Sequence, residues 1–142
     1  MGAISATSVQ KTYKEETVTL YGLMRAGALN VQPTLITANG ASKGFKSVAL
    51  VQTAPASRYE WTIDPTFRVT NILGAYAETE RDIAASYGSV LVALTIQNIT
   101  PWVAGVGTKI TFRESTASGG SSQLVPDTLL RVCVTFTTSK TP

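Results

Sequence analysis

The stretch Thr128-Leu129-Leu130-Arg131-Val132-Cys133-Val134-Thr135-Phe136-Thr137-Thr138 decides the fold class. Leu130, Val132, Val134 and Phe136 alternate there with Arg131, Cys133, Thr135 and Thr137. Successive side chains of a strand point to opposite faces, so this period of two predicts a half-buried strand. Strand-forming residues fill it, and neither Gly nor Pro weakens its ladder.

Working outward, the same alternation marks residues 16–24, where Val18 and Leu20 oppose Thr17, Thr19 and Tyr21. It recurs at 58–64 (Tyr59, Trp61 and Ile63 against Arg58, Glu60 and Thr62), at 89–98 and at 108–114. Residues 45–53 are apolar on both faces, which predicts a central strand. Residues 31–37 hold a short extended piece, and Phe67 with Val69 resumes alternation after Pro65. Gly22 is expected to mark a bulge or bend in its strand. Residues 72–86 differ: Leu73, Tyr76, Ile83 and Tyr87 recur at spacings of three, four or seven. That predicts one short helix, ended by Gly88.

The segments 27–44, 101–105 and 115–122 read as loops, the second carrying Trp102. They are too long for a meander of tight hairpins. The expected fold is all-β: a Greek-key jelly-roll sandwich of about eight strands with one short helix. Residues 1–14 are polar and small and read as an arm; 15–142 form one domain.

Charged residues make up only 15% of the 142, and Thr and Ser take their place. A surface so poor in charge does little to oppose self-association, which favours an assembling subunit. The net charge of +3 is too small to indicate nucleic-acid binding by itself. No apolar run approaches the ~20 residues of a membrane-spanning helix. The first residues do not spell a secretion leader, so none is expected.

The chain has no His, which removes the commonest general base and metal ligand. No nucleophile–base set can be assembled, so no enzyme activity, cofactor or metal is expected. The single cysteine, Cys133, excludes an internal disulfide and reads as a small packed side chain. Glu78, Glu80 and Asp82 offer carboxylates of the kind hard cations prefer. They lack the spacing of a calcium loop and alternate sides on a helix, so they read as a solvated face. Asp64-Pro65 and Pro126-Asp127 read as turns. For phosphate contacts the candidates are Lys11, Lys14, Arg25, Lys43 and Lys46, because backbone phosphates need only positioned cations. Tyr13 stands beside the first pair as a stacking residue.

The run 129–138, with Pro142 after it, resembles the last strand of plant-virus jelly-roll shell domains. Leu23-Met24-Arg25-Ala26-Gly27, followed by Val31-Gln32-Pro33-Thr34, is similar to the start of the jelly roll in satellite-virus coat proteins. The resemblance implies a small single-jelly-roll coat protein that self-assembles with identical subunits into an icosahedral shell, packages single-stranded RNA and resides in the virion. Loops at 27–44, 99–107 and 115–127 would join subunits. Many such proteins begin with an Arg/Lys-rich arm, whereas this chain has only Lys11 and Lys14 there. Roughly 60 copies closing a shell would carry about +180. A genome of ~1,000 nucleotides carries ~1,000 negative charges, so RNA binding is expected to be modest and salt-labile, or to rest on local surface charge.

Two other readings are open. Residues 45–64 faintly resemble the central hairpin of single-stranded RNA phage coat proteins, which bind RNA on a sheet face; those chains end in helices. A lectin-like sandwich would bind glycans through exposed aromatics, and among Trp61, Trp102 and Tyr87 the best placed is Trp102. Trp61 sits in an alternating strand and is expected in the core.

Overall fold

A computed structural model describes residues 15–28, 30–52, 58–80, 92–116 and 127–139. Its described residues form eight strands: β1 (Glu15–Arg25), β2 (Thr34–Leu35), β3 (Phe45–Gln52), β4 (Arg58–Ile63), β5 (Val69–Glu80), β6 (Val92–Val103), β7 (Gly107–Thr116) and β8 (Leu129–Ser139). They pair antiparallel in two four-stranded sheets, one ordered β2-β1-β8-β5 and the other β3-β4-β7-β6. The all-β architecture is as the alternation predicts.

Alternate residues of the central strands meet between the sheets. Leu20, Met24, Leu130, Val132, Val134 and Phe136 come from one sheet. Tyr59, Trp61, Ile63, Ile110 and Phe112 come from the other, with Phe45 and Leu50 of β3. Trp61 is fully buried, its ring edge-on to Phe45 at 5.2 Å between centroids. The long pairings β1–β8 and β4–β7 fix this core; every residue of β1 has a partner in β8 without a register shift.

The helix expected from residue 72 is not formed in the described part of that segment: 69–80 is strand β5. The cause is visible in its pairing with β8. Register shifts between Val69 and Asn71 and between Ile72 and Gly74 each insert one residue. Val69, Ile72, Ala75 and Ala77 therefore pack on the core at spacings of three, three and two. Bulges of this kind give a strand a locally helix-like apolar spacing. Residues 81–86 of the expected helix, and Gly88 after it, lie outside the described residues.

Three local expectations also change. Gly22 makes no bulge; it pairs regularly with Val132, and its lack of a side chain leaves room for Trp61 from the facing sheet. β3 is an edge strand rather than a central one. Residues 101–103 are not loop but the end of β6, and the turn is confined to 104–106. Pro101 is tolerated because β6 is an edge strand, where one side of the backbone needs no ladder donor. At that turn Gly107 has φ +100°, and the carbonyl of Ile63 lies where a Cβ would project. Asp64 behaves as the turn residue expected: its Oδ1 accepts the Thr66 N–H at 2.9 Å and the Thr66 hydroxyl at 2.8 Å.

Candidate assembly edge and cationic surfaces

The two sides of the sandwich are built differently. On the β1/β3 side the open edges are occupied. Ser42 is buried beside β1, where its Oγ accepts the Leu23 N–H at 2.8 Å and donates to the Leu23 carbonyl at 3.0 Å. Gln32 does the same for β3: its amide donates to the Leu50 carbonyl at 2.9 Å and accepts the Leu50 N–H at 2.8 Å. At these two points side chains stand in for a neighbouring strand, which blunts the edge there.

On the opposite side β5 and β6 are the outer strands, and among the described residues no strand pairs with their outer edges. Register shifts interrupt both, and β6 carries Pro101. Those features oppose simple extension of the sheet. The side chains are apolar nonetheless. Among the described residues, six of the nine large hydrophobic residues left exposed belong to β5, β6 or the turn after it: Leu73, Tyr76, Ile96, Ile99, Val103 and Val106. β6 contains no charged residue at all. An apolar margin of this kind is what solvent-facing monomers avoid and contact surfaces keep.

Of the predicted phosphate contacts, Arg25, Lys43 and Lys46 lie among the described residues. Arg25 is exposed at the end of β1, opposite Thr34 and Leu129. Lys43 is exposed in the turn before β3, and Lys46 is exposed at the first irregularity of β3. These two lysines flank Gly44, whose carbonyl accepts the Asp64 N–H at 2.9 Å. The Asp64 carboxyl is held below its ordinary value, chiefly by the Thr66 N–H, then by the Thr66 hydroxyl, with Lys46 adding a smaller pull against slight desolvation. Lys11 and Lys14 lie outside the described residues, as do Tyr13 and Tyr87.

A second group of cations escaped the sequence reading. With Tyr59, Trp61, Ile110 and Phe112 turned to the core, the intervening residues of β4 and β7 form the outer face of their sheet. Arg58 pairs with Arg113, Glu60 with Thr111, and Thr62 with Lys109. Lys109 reaches Glu60 at 3.3 Å. The signal lay in the polar half of each alternation; what sequence could not supply was that these two strands are neighbours.

The aromatic candidates are mostly enclosed. Trp61 is core, as expected. Trp102 is half-buried in β6: its Nε1–H donates to the Pro65 carbonyl at 3.0 Å, and the Arg68 guanidinium lies 5.2 Å from its ring centroid. It also lines a hollow of about 220 Å³ with Thr70, Asn71 and Thr108. On the outer face of the other sheet Tyr21, Cys133 and Tyr76 form one cross-strand row. The tyrosines are exposed while the thiol between them is buried. A hydrogen bond with that thiol pushes the Tyr76 hydroxyl up from its ordinary value.

Glu78 is exposed on β5 opposite Arg131, Glu80 ends that strand, and Asp82 lies outside the described residues. Among the described residues no group of three or more Cys, Asp or Glu side chains is placed to hold a metal ion. No helix of the described residues is long and apolar enough to cross a membrane. No family model, no curated protein and no solved structure matches this chain.

Proposed function

We propose that this chain is a capsid subunit, a non-catalytic coat protein that self-assembles into a small icosahedral shell and packages single-stranded RNA in the virion. The observation that carries the reading is the one-sided margin of the sandwich. Ser42 and Gln32 cap Leu23 and Leu50 on the β1/β3 side, while Leu73, Ile99, Val103 and Val106 stand exposed on the β5/β6 side. Burying apolar surface at roughly 25 cal/mol per Å² favours docking that margin on another subunit. Bulges and Pro101 direct the contact to side-chain packing and away from an endlessly growing sheet. The low charge of the whole chain acts in the same direction. The finer topology within this reading is a jelly roll, supported by the pairing of β1 with β8 and of β4 with β7.

Negative-stain microscopy of the purified full-length chain tests the reading, with uniform spherical particles as the expected result. Leu73→Lys with Val103→Lys should abolish particles while leaving the β circular-dichroism spectrum intact. Monodisperse monomers from the unaltered chain refute the reading.

The hollow beside Trp102 favours one rival, a glycan-binding sandwich, since an indole edge with Thr70, Asn71 and Thr108 suits a sugar ring. Saturation-transfer NMR that shows sugar contacts on a monomeric protein would select it.

A further inference from the structure

Arg58 and Arg113 face each other across β4 and β7 on the outer side of the sheet. Like charges directly opposite in a cross-strand pair are mutually unfavourable. Neither arginine has an ion pair or hydrogen bond with a described residue, and the Arg58 Nε is buried without a partner. The nearest carboxylate in the same face, Glu60, is already engaged by Lys109 at 3.3 Å. Beside Arg58 lies an open hollow of about 400 Å³, bounded by Val51, Arg58, Gln97, Asn98 and Thr111. Apart from Val51 these described lining residues are polar, and none is a carboxylate.

We propose that the Arg58–Arg113 pair and this hollow form a phosphate-binding site that takes one nucleotide of single-stranded RNA. The planar guanidinium presents donors in a fork that matches two phosphate oxygens, and an anion between two such forks relieves their repulsion. A hollow of this size exceeds what a bare phosphate needs and lies at the small end of ligand pockets. The Gln97 and Asn98 amides and the Thr111 hydroxyl offer donors and acceptors to a ribose 2′-hydroxyl or a base edge. The site rests on the RNA-packaging part of the reading above, but it uses none of the cations first singled out for that role.

Fluorescence anisotropy of a labelled oligouridylate on the full-length chain, measured across a salt series, tests the site. Arg58→Ala and Arg113→Ala should each weaken binding about tenfold and lower the slope of log K against log salt by about 1. Arg58→Lys should keep the slope and still lose several-fold affinity, because the charge stays and the fork is lost. Lys43→Ala should have the smaller effect. Thermal melts that stay within a few degrees show that the variants remain folded. Competition separates the sources of the anion: displacement by oligouridylate but not by millimolar inorganic phosphate assigns the site to RNA. Equal displacement by inorganic phosphate overturns the RNA assignment in favour of a free-anion site. No binding by the unaltered chain, or unchanged affinity and slope in both alanine variants, overturns the site altogether. Arginine-dependent binding by a chain that never forms particles would leave the site standing and remove the capsid reading; particles with arginine-independent packaging would do the reverse.

Discussion

Gly22→Ala is predicted to destabilise the fold, against the usual expectation for glycine in a strand. Glycine within a strand ordinarily costs ~0.5–1 kcal/mol relative to alanine, so propensity alone predicts a gain. The surroundings of Gly22 reverse the sign. An added methyl would stand 2.6 Å from Trp61 Cζ3, 2.9 Å from Val132 Cγ2 and 3.0 Å from Phe45 Cδ2. Trp61 is fully buried and Phe45 nearly so, so neither can swing out to solvent. Forcing a methyl into a packed core costs ~1–3 kcal/mol, which outweighs the propensity gain and leaves a net loss of ~1–2 kcal/mol. For a chain of this length that is a fall in Tm of ~3–8 °C. Urea melts should show a lower midpoint with an unchanged slope. Trp61→Phe removes the ring that carries Cζ3. The double variant Gly22→Ala/Trp61→Phe should therefore be more stable than the sum of the single effects, with a coupling of ~1 kcal/mol or more. A Gly22→Ala variant that melts higher than the parent, or a cycle that is additive, refutes this account of β1.

Ser42→Ala should cost ~1–3 kcal/mol in a denaturant melt, because it leaves the Leu23 N–H without its 2.8 Å partner at a buried position. The Leu23 carbonyl loses less, since the Ile36 N–H still donates to it at 2.9 Å. Asp64 has a folded-state pKa below its unfolded one, so its contribution to stability is complete above the unfolded value and is lost as pH falls through the folded value. Thr66→Val should move its NMR titration part of the way back up, since the larger effect comes from the backbone N–H that the variant keeps. Tyr76→Ala should speed labelling of Cys133 by a thiol reagent, because the ring covers a thiol that is only 8% exposed on an outward face. An unchanged rate would assign the cover to other side chains.

The long strands were legible because each alternates against a single core, so burial writes a period of two directly into the sequence. β5 was misread because bulges at two points reset its alternation, and Leu73 and Tyr76, three apart and taken for part of a buried helical stripe, are exposed on the strand. Gly22 was misread because a missing side chain looks the same in sequence whether it serves backbone geometry or a neighbour's ring. The order of strands was not legible at all. β3 looks central by composition yet lies at an edge, where Gln32 from a distant segment completes its hydrogen bonding.

Arg58 and Arg113 illustrate which force sets that assembly. The register that opposes them also sets Tyr59 opposite Phe112 and Trp61 opposite Ile110. Shifting the pairing by two residues, so that Glu60 met Arg113, would improve the charges on the outer face. The same shift would keep apolar partners for Trp61 and Ile63, which would meet Phe112 and Ile110, but would bring the fully buried Tyr59 opposite Glu114. Cross-strand charge pairs are worth ~0.2–1 kcal/mol, whereas each large apolar side chain gains ~1.5–3 kcal/mol from burial. Packing therefore wins, and it leaves two arginines opposite each other in the ladder. If the proposed site is right, the folded chain is more stable with an anion bound there than without one. Added polyanion should consequently raise Tm, and the rise should vanish in Arg58→Ala/Arg113→Ala even though that variant, freed of the repulsion, is no less stable in the absence of anion.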